Sequence, residues 1–158
     1  MKNLTTTLLY IIKDGKVLLG EKKRGFGQGY LNGFGGKQQE GETIEECMVR
    51  ETMEEIGVKP IGLEMRAIIN FDLYYKGEKE KEKTYVFVAS GYEGEIRESE
   101  EMKPVWFELQ SLPYDKMFSD DIYWLPSLLE GKTFTADIKM DENFKTTHFD
   151  INYNVNFD

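Results

Sequence analysis

The chain has 158 residues, 40% of them apolar and 13% aromatic, which suits one folded domain and is too apolar for disorder. Its 29 acidic residues outweigh 20 basic ones for a net charge of −9, the opposite of the basic surface that clamps a nucleic-acid polymer. A small phosphorylated ligand stays open, because a divalent cation can bridge acidic side chains to phosphate.

The opening segment, MKNLTTTLLYIIKDGKV, lacks a signal-peptide pattern, and no apolar run approaches membrane-spanning length. With Cys47 as the only cysteine, no internal disulfide can form. The expectation is a cytoplasmic protein with no membrane partner.

Leu4 to Ile12 reads as a strand, Asp14-Gly15 as a hairpin turn and Lys16 to Glu21 as its partner. Seven glycines between Gly25 and Gly41 predict an extended loop. Thr43 to Ile56 follows as a helix, entered through Glu42-Thr43 and stopped by Gly57. Met65 to Tyr75 and Lys83 to Ser90 read as strands, and the charged KGEKEKEK between them as a solvated hairpin end. PVWFEL, Pro104 to Leu109, is a further short strand. Asp120 to Leu129 is a second helix, capped by Ser119 or Asp120 and followed by Gly131. Lys132 to Phe157 alternates like a final hairpin around Asp141 to Asn143, and His148 falls on it as a surface residue. The expected class is α+β: one domain over residues 1–158 with a mixed, mainly antiparallel sheet and two main helices.

The first helix holds RETMEEIG, in which Glu51, Glu54 and Glu55 share one side. At about 100° per residue, with Ile44 at zero, they fall at about 340°, 280° and 20°. Like charges at these spacings repel, so they belong either on a solvated face or against a cation. Val49, Met53 and Ile56 form an apolar arc roughly opposite, yet Ile44, Cys47 and Met48 lie on the acids' own side. Acids that continue a partly apolar face look into a groove. Three carboxylates meeting there suit a hard, oxygen-seeking ion, Mg²⁺ or Mn²⁺. Arg50, beside them, can pair with Glu46 or Glu54 at i±4 spacing. The preceding GFGGK, Gly33 to Lys37, lets backbone groups approach a phosphate or metal, although a glycine loop alone is often a plain turn.

In order the stretch runs Gly36, five residues, Glu42, seven residues, then Arg50-Glu51, Thr52, Met53, Glu54-Glu55, Ile56, Gly57 and Val58. This resembles the signature of the Nudix hydrolases, departing only at Thr52, where the family carries a bulky aliphatic residue. The resemblance implies an α/β/α sandwich and Mg²⁺-dependent hydrolysis of a nucleoside diphosphate linked to another moiety. It assigns Glu51, Glu54 and Glu55, with the Gly35 carbonyl, as metal ligands. Glu51 becomes a candidate general base, and Glu42 an anchor for the loop through Arg50.

GEKKRGFGQGYLNGFGGK, ESEEMKPVWFEL and SDDIYW are similar to the animal-type, MutT-related 8-oxo-dGTP diphosphatases over roughly residues 4–140. By that likeness Asn32, Asp120 and Asp121 would hydrogen-bond a purine, with Phe26, Phe71, Phe118 and Trp124 around its ring. Thr7 and Lys22 would line the nucleoside end, Phe34, Gly35, Gly36 and Lys37 would contact the substrate, and Glu101 would add a metal ligand. Each has a plainer role available: Asp120 and Asp121 as helix-terminal acids, Trp124 and Phe118 as core, Lys22 as a solvated strand end. The implied partner is a small nucleotide, acted on by a monomer. Rival readings are a Nudix hydrolase for ADP-ribose, a dinucleoside polyphosphate or NADH, and a module that senses a nucleotide without cutting it.

Overall fold

The computed structural model describes residues 1–157. One eight-stranded mixed sheet runs through it, built from β1 (Lys2–Lys13), β2 (Lys16–Lys22), β3 (Leu31–Asn32), β4 (Lys59–Tyr75), β5 (Glu78–Glu93), β6 (Met102–Glu108), β7 (Phe134–Met140) and β8 (Thr146–Tyr153). The order is β3-β2-β1-β5-β4-β7-β8, with β6 on β2. Only β1 with β5 and β4 with β7 run parallel. Helix α1 (Ile44–Ile56) and helix α2 (Asp121–Leu129) complete the main elements, with a single 3₁₀ turn at Tyr114–Lys116. The expected α+β arrangement is therefore the one observed.

Strand alternation divides the core between the sheet's two faces. Leu9, Ile11, Leu18 and Phe87 join Met48 and Ile56 of α1 on one side. Tyr10, Val17, Ala67, Ile69, Val86 and Phe134 join Trp124, Leu125 and Leu128 of α2 on the other. Among the described residues, no helix is long and apolar enough to cross a membrane.

Several strands run longer than expected, β4 beginning at Lys59 rather than Met65 and β5 ending at Glu93 rather than Ser90, and three local features differ in kind. The glycine-rich stretch is no plain loop: it contains β3, and Phe34 and Lys37 bridge to Leu9 and Thr6 of β1. The KGEKEKEK stretch turns only at Lys76-Gly77, and from Glu78 onward it is strand, with Glu80 only 5% exposed. Beyond the turn its charges follow the two-residue period, with Lys79, Lys81 and Lys83 exposed, Glu80 buried and Glu82 half-buried, while Glu78 next to the turn is exposed. Asp120 makes no side-chain cap on α2. Ser119 does not cap it either: its hydroxyl donates to the Phe144 carbonyl and pairs with Thr146, pinning the β7–β8 turn.

Candidate active site

Helix α1 is set by its ends. Thr43 and Glu46 form a reciprocal capping box, Thr43 Oγ1 accepting from the Glu46 N–H and Glu46 Oε1 from the Thr43 N–H. Gly57 closes the helix at φ 76° and donates to the Met53 carbonyl. The buried side of α1 is Cys47, Met48, Thr52, Glu55 and Ile56. Of the three acids Glu55 is buried on the packed face, Glu51 is half-buried and Glu54 is exposed, while of the expected apolar arc Ile56 is buried and Met53 is 42% exposed. Thr52, buried, donates to the Met48 carbonyl 2.8 Å away and so hides its hydroxyl within the helix.

Arg50 organises the acids. Its guanidinium donates to both oxygens of Glu42 at 3.0 and 2.8 Å, to Glu51 Oε1 at 2.8 Å, and to the Lys37 carbonyl at 3.1 Å. A looser contact reaches Glu54 at 3.3 Å. Glu46, the other partner expected for Arg50, is held in the capping box instead. The hydrogen bonds from Arg50 and from the Gln39 N–H hold the Glu42 carboxyl at about 2, far below the usual carboxylate range. Glu42 is a permanent anion that ties the loop to the helix.

Glu55 is the buried member, 3% exposed, and accepts the Gly35 N–H at 2.9 Å. Burial first, then the charges of Glu51 and Glu101, raise it to about 8, against the lowering effects of the Gly35 bond and Lys22. Burial also raises Glu51, opposed by Arg50. Gly36 lies so close to Glu51 that a Cβ there would come within 2.5 Å of the carboxylate carbon. At Gly35 (φ 153°) a Cβ would collide with the Thr7 carbonyl. These are oxygen donors crowded against one another, short of positive charge and reached by bare backbone, which fits a hard divalent cation. Among the described residues, no group of three acidic, His or Cys side chains forms a metal cluster. Glu54 faces Arg50 with its side chain 56% exposed, and Glu101 pairs with Arg24.

On the α2 face a cavity of about 290 Å³ gathers most of the remaining predicted residues: Thr7, Lys22, Phe26, Asn32, Gly35, Gly36, Lys37, Phe71, Phe118, Asp120, Asp121 and Trp124, with Glu55 at its rim. A wider hollow of about 710 Å³ around Met1 and the β7–β8 turn holds none of them. Asn32 Oδ1 accepts from the Tyr10 hydroxyl at 3.1 Å and the Gly33 N–H at 2.8 Å, so the amide NH₂ is turned the other way. Asp120 accepts from the Trp124 indole at 2.7 Å, while Asp121 Oδ2 is buried without a partner. Burial, then the charge of Asp120 and a shared hydrogen bond, push Asp121 well above the usual carboxyl range. Burial raises the Asp120 carboxyl as well, against the lowering effect of the Trp124 hydrogen bond, so the two neighbouring carboxyls resist ionising together. Phe26 stacks on Phe118 at 5.9 Å, and Tyr30 lies 4.6 Å from Phe118.

One expected position falls outside the cavity, and the hydroxyl of another is engaged on the α1 side. Phe34 is fully buried among the α1-side residues, because the strip beside β1 alternates and turns this ring away from the cavity. Thr7 lines the cavity, but its hydroxyl is bonded to Cys47 Sγ on the α1 side at 3.6 Å. Tyr30, Thr6, Glu82 and Thr84 line the cavity and escaped the sequence reading. Only the period-two alternation of β5 could have indicated the last two.

A family model described as the NUDIX domain matches residues 2–128. The chain is 46% identical over 133 residues to the oxidized purine nucleoside triphosphate hydrolase of Danio rerio, covering 84% of each chain. It is 43% identical over 136 residues to the protein of that name from Mus musculus, covering 86% of each. A crystal structure of a MutT protein from Bacillus halodurans superimposes with a TM-score of 0.80 at 22% identity, over 94% of this chain and 97% of that one.

Proposed function

The chain belongs to the NUDIX domain family, and from that premise we propose that it hydrolyses oxidised purine nucleoside triphosphates of the 8-oxo-dGTP type. The products are the nucleoside monophosphate and pyrophosphate. The reading is carried by one observation: a buried pair of neighbouring carboxyls, Asp120 and Asp121, beside the Asn32 amide in a cavity that Glu55 also lines. Such a pair meets a base edge that offers both an acceptor and a donor, and the two hydrolases from Danio rerio and Mus musculus give the same direction.

In this reading the aromatic walls Phe26, Phe71, Phe118 and Trp124 hold the purine, while Lys22 and the backbone at Gly35–Gly36 receive phosphate oxygens. Glu51 and Glu55, with the Gly35 carbonyl and Glu54 and Glu101 turned inward, would hold Mg²⁺, or Mn²⁺ in its place. The ion supplies charge neutralisation for the polyphosphate and acidifies water. Glu51 takes the proton of the attacking water. Water oxygen bonds to phosphorus as the α–β bridging bond breaks, and the electron pair leaves with pyrophosphate. Arg50 keeps Glu51 aimed at the glycine strip and leaves Glu42 charged.

Steady-state kinetics with Mg²⁺ on 8-oxo-dGTP, dGTP and ADP-ribose test the proposal. A kcat/KM at least about tenfold higher for 8-oxo-dGTP is expected, and equal values would overturn the substrate assignment. Glu51→Gln and Glu55→Gln each lower kcat by a factor of about 10² or more in the same assay.

A further inference from the structure

Tyr10 lies behind Asn32 at the aspartate end of the cavity and has no exposed surface of its own. Its side chain belongs to the α2 face of β1 and stands edge-on to Trp124, with ring centres 6.2 Å apart. Trp124 in turn donates to Asp120. Gly33 lies against the Tyr10 ring: a Cβ there would come within 3.0 Å of Cε1. Bare backbone at that position lets the hydroxyl reach Asn32.

Hydrogen bonding fixes the direction of each group. The Gly33 N–H can only donate, so the Asn32 atom 2.8 Å from it is the carbonyl oxygen. The Tyr10 hydroxyl, 3.1 Å from that oxygen, is then a second donor to the same atom. Both lone pairs of Oδ1 are filled. What Asn32 has left for the cavity it lines is its NH₂, which can only donate. Burial, then the charges of Asp121 and Asp120, raise the Tyr10 hydroxyl well above the usual phenol range. It therefore keeps the proton that it gives to Asn32.

We propose that Tyr10 is a positioning residue for base recognition: its hydroxyl holds Asn32 as a pure donor. The purine atom that meets Asn32 is then an acceptor, a carbonyl oxygen or an unprotonated ring nitrogen. Without that hydroxyl Asn32 keeps the Gly33 bond alone, and its amide plane is free to turn about it. The inference rests on the nucleotide reading above, and adds to it a residue that reaches the base only through another side chain. The glycine strip is out of its reach. Thr7, whose N–H donates to the Gly36 carbonyl, is three residues from Tyr10, about 10 Å along β1. The effect of Tyr10 falls on binding of the base and leaves the cleavage step alone.

Tyr10→Phe removes the hydroxyl and keeps the ring against Trp124. The test measures kinetics on 8-oxo-dGTP with Mg²⁺, and calorimetric binding of its product 8-oxo-dGMP without metal. Wild type, Tyr10→Phe, Asn32→Ala and the double variant are compared. Tyr10→Phe is expected to raise KM and the product's Kd about three- to tenfold, the scale of one hydrogen bond, with kcat within about twofold. In the Asn32→Ala background the same change should shift either constant by no more than about twofold, because the group it works through is gone. Unchanged KM and Kd in Tyr10→Phe overturn the inference. So does a loss of full size in the Asn32→Ala background, which would mean that Tyr10 acts by packing. In wild type, the ¹⁵N signal of the Asn32 NH₂, identified by its loss in Asn32→Ala, should shift when 8-oxo-dGMP binds. A signal that stays in place overturns the inference whether or not the variants fold. A wild type that neither binds 8-oxo-dGMP nor hydrolyses 8-oxo-dGTP overturns the functional reading, and this inference with it.

Discussion

Asp121 holds its proton in the folded protein well above the pH at which the unfolded chain releases it, because burial and the charge of Asp120 disfavour the anion. The native state therefore binds more protons than the unfolded state above the ordinary carboxyl range, and stability falls as pH rises through that window. An asparagine in its place would imitate the neutral acid without titrating. Urea unfolding at pH 5 and pH 8 should show a smaller loss of stability for Asp121→Asn than for wild type. A loss of the same size in both would show that Asp121 is already ionised at pH 5. The acids of α1 were legible in the sequence because a helix turns spacing into direction: Glu51 and Glu55 had to share the face of Cys47 and Met48. Tyr30 was not, since it stands in a glycine-rich stretch whose backbone path depends on pairing with β2 and β1.

At the scale of elements, α1 is defined by local chemistry. Thr43→Ala removes one side of the capping box, costing about 1 kcal/mol and lowering the thermal midpoint by about 2–4 °C for a chain of this size. Differential scanning calorimetry measures it directly, and an unchanged midpoint would mean that water replaces the cap. Helix limits were readable for the same reason, Thr43 and Gly57 being signals that act within one turn. The β4–β5 hairpin was misjudged because charge was read before period. KEKEK alternates as a half-buried strand does, and only the long-range register with Phe71 and Leu4 shows which half goes inside. The strip from Phe34 to Lys37 was likewise hidden, its strand character being lent by β1 across the sequence.

Across the whole molecule, one sheet serves both cores. Met48 and Leu125 are both fully buried, on opposite faces. Met48→Ala and Leu125→Ala should each destabilise by about 2–5 kcal/mol. Tryptophan fluorescence and far-ultraviolet circular dichroism should still report coincident urea transitions, because neither face can keep its strands without the other. Separate transitions would mean that the faces unfold independently. The sequence indicated two helices and a mixed sheet, and the Nudix resemblance implied their layering, but which strands neighbour each other depends on the β1–β5 and β4–β7 parallel pairings, and no local signal encodes those.

The glycine strip runs alongside β1 with Gly35 and Gly36 toward the α1 acids, while Asn32 and the cavity open toward α2. In the proposed function a ligand lying across it engages two walls on opposite faces of one sheet, one to select and one to cut. Substitutions around Asp120 or Phe118 can then change what the protein accepts while the Arg50–Glu42–Glu51 lattice stays intact. The fold is thereby open to drift in substrate choice without drift in chemistry.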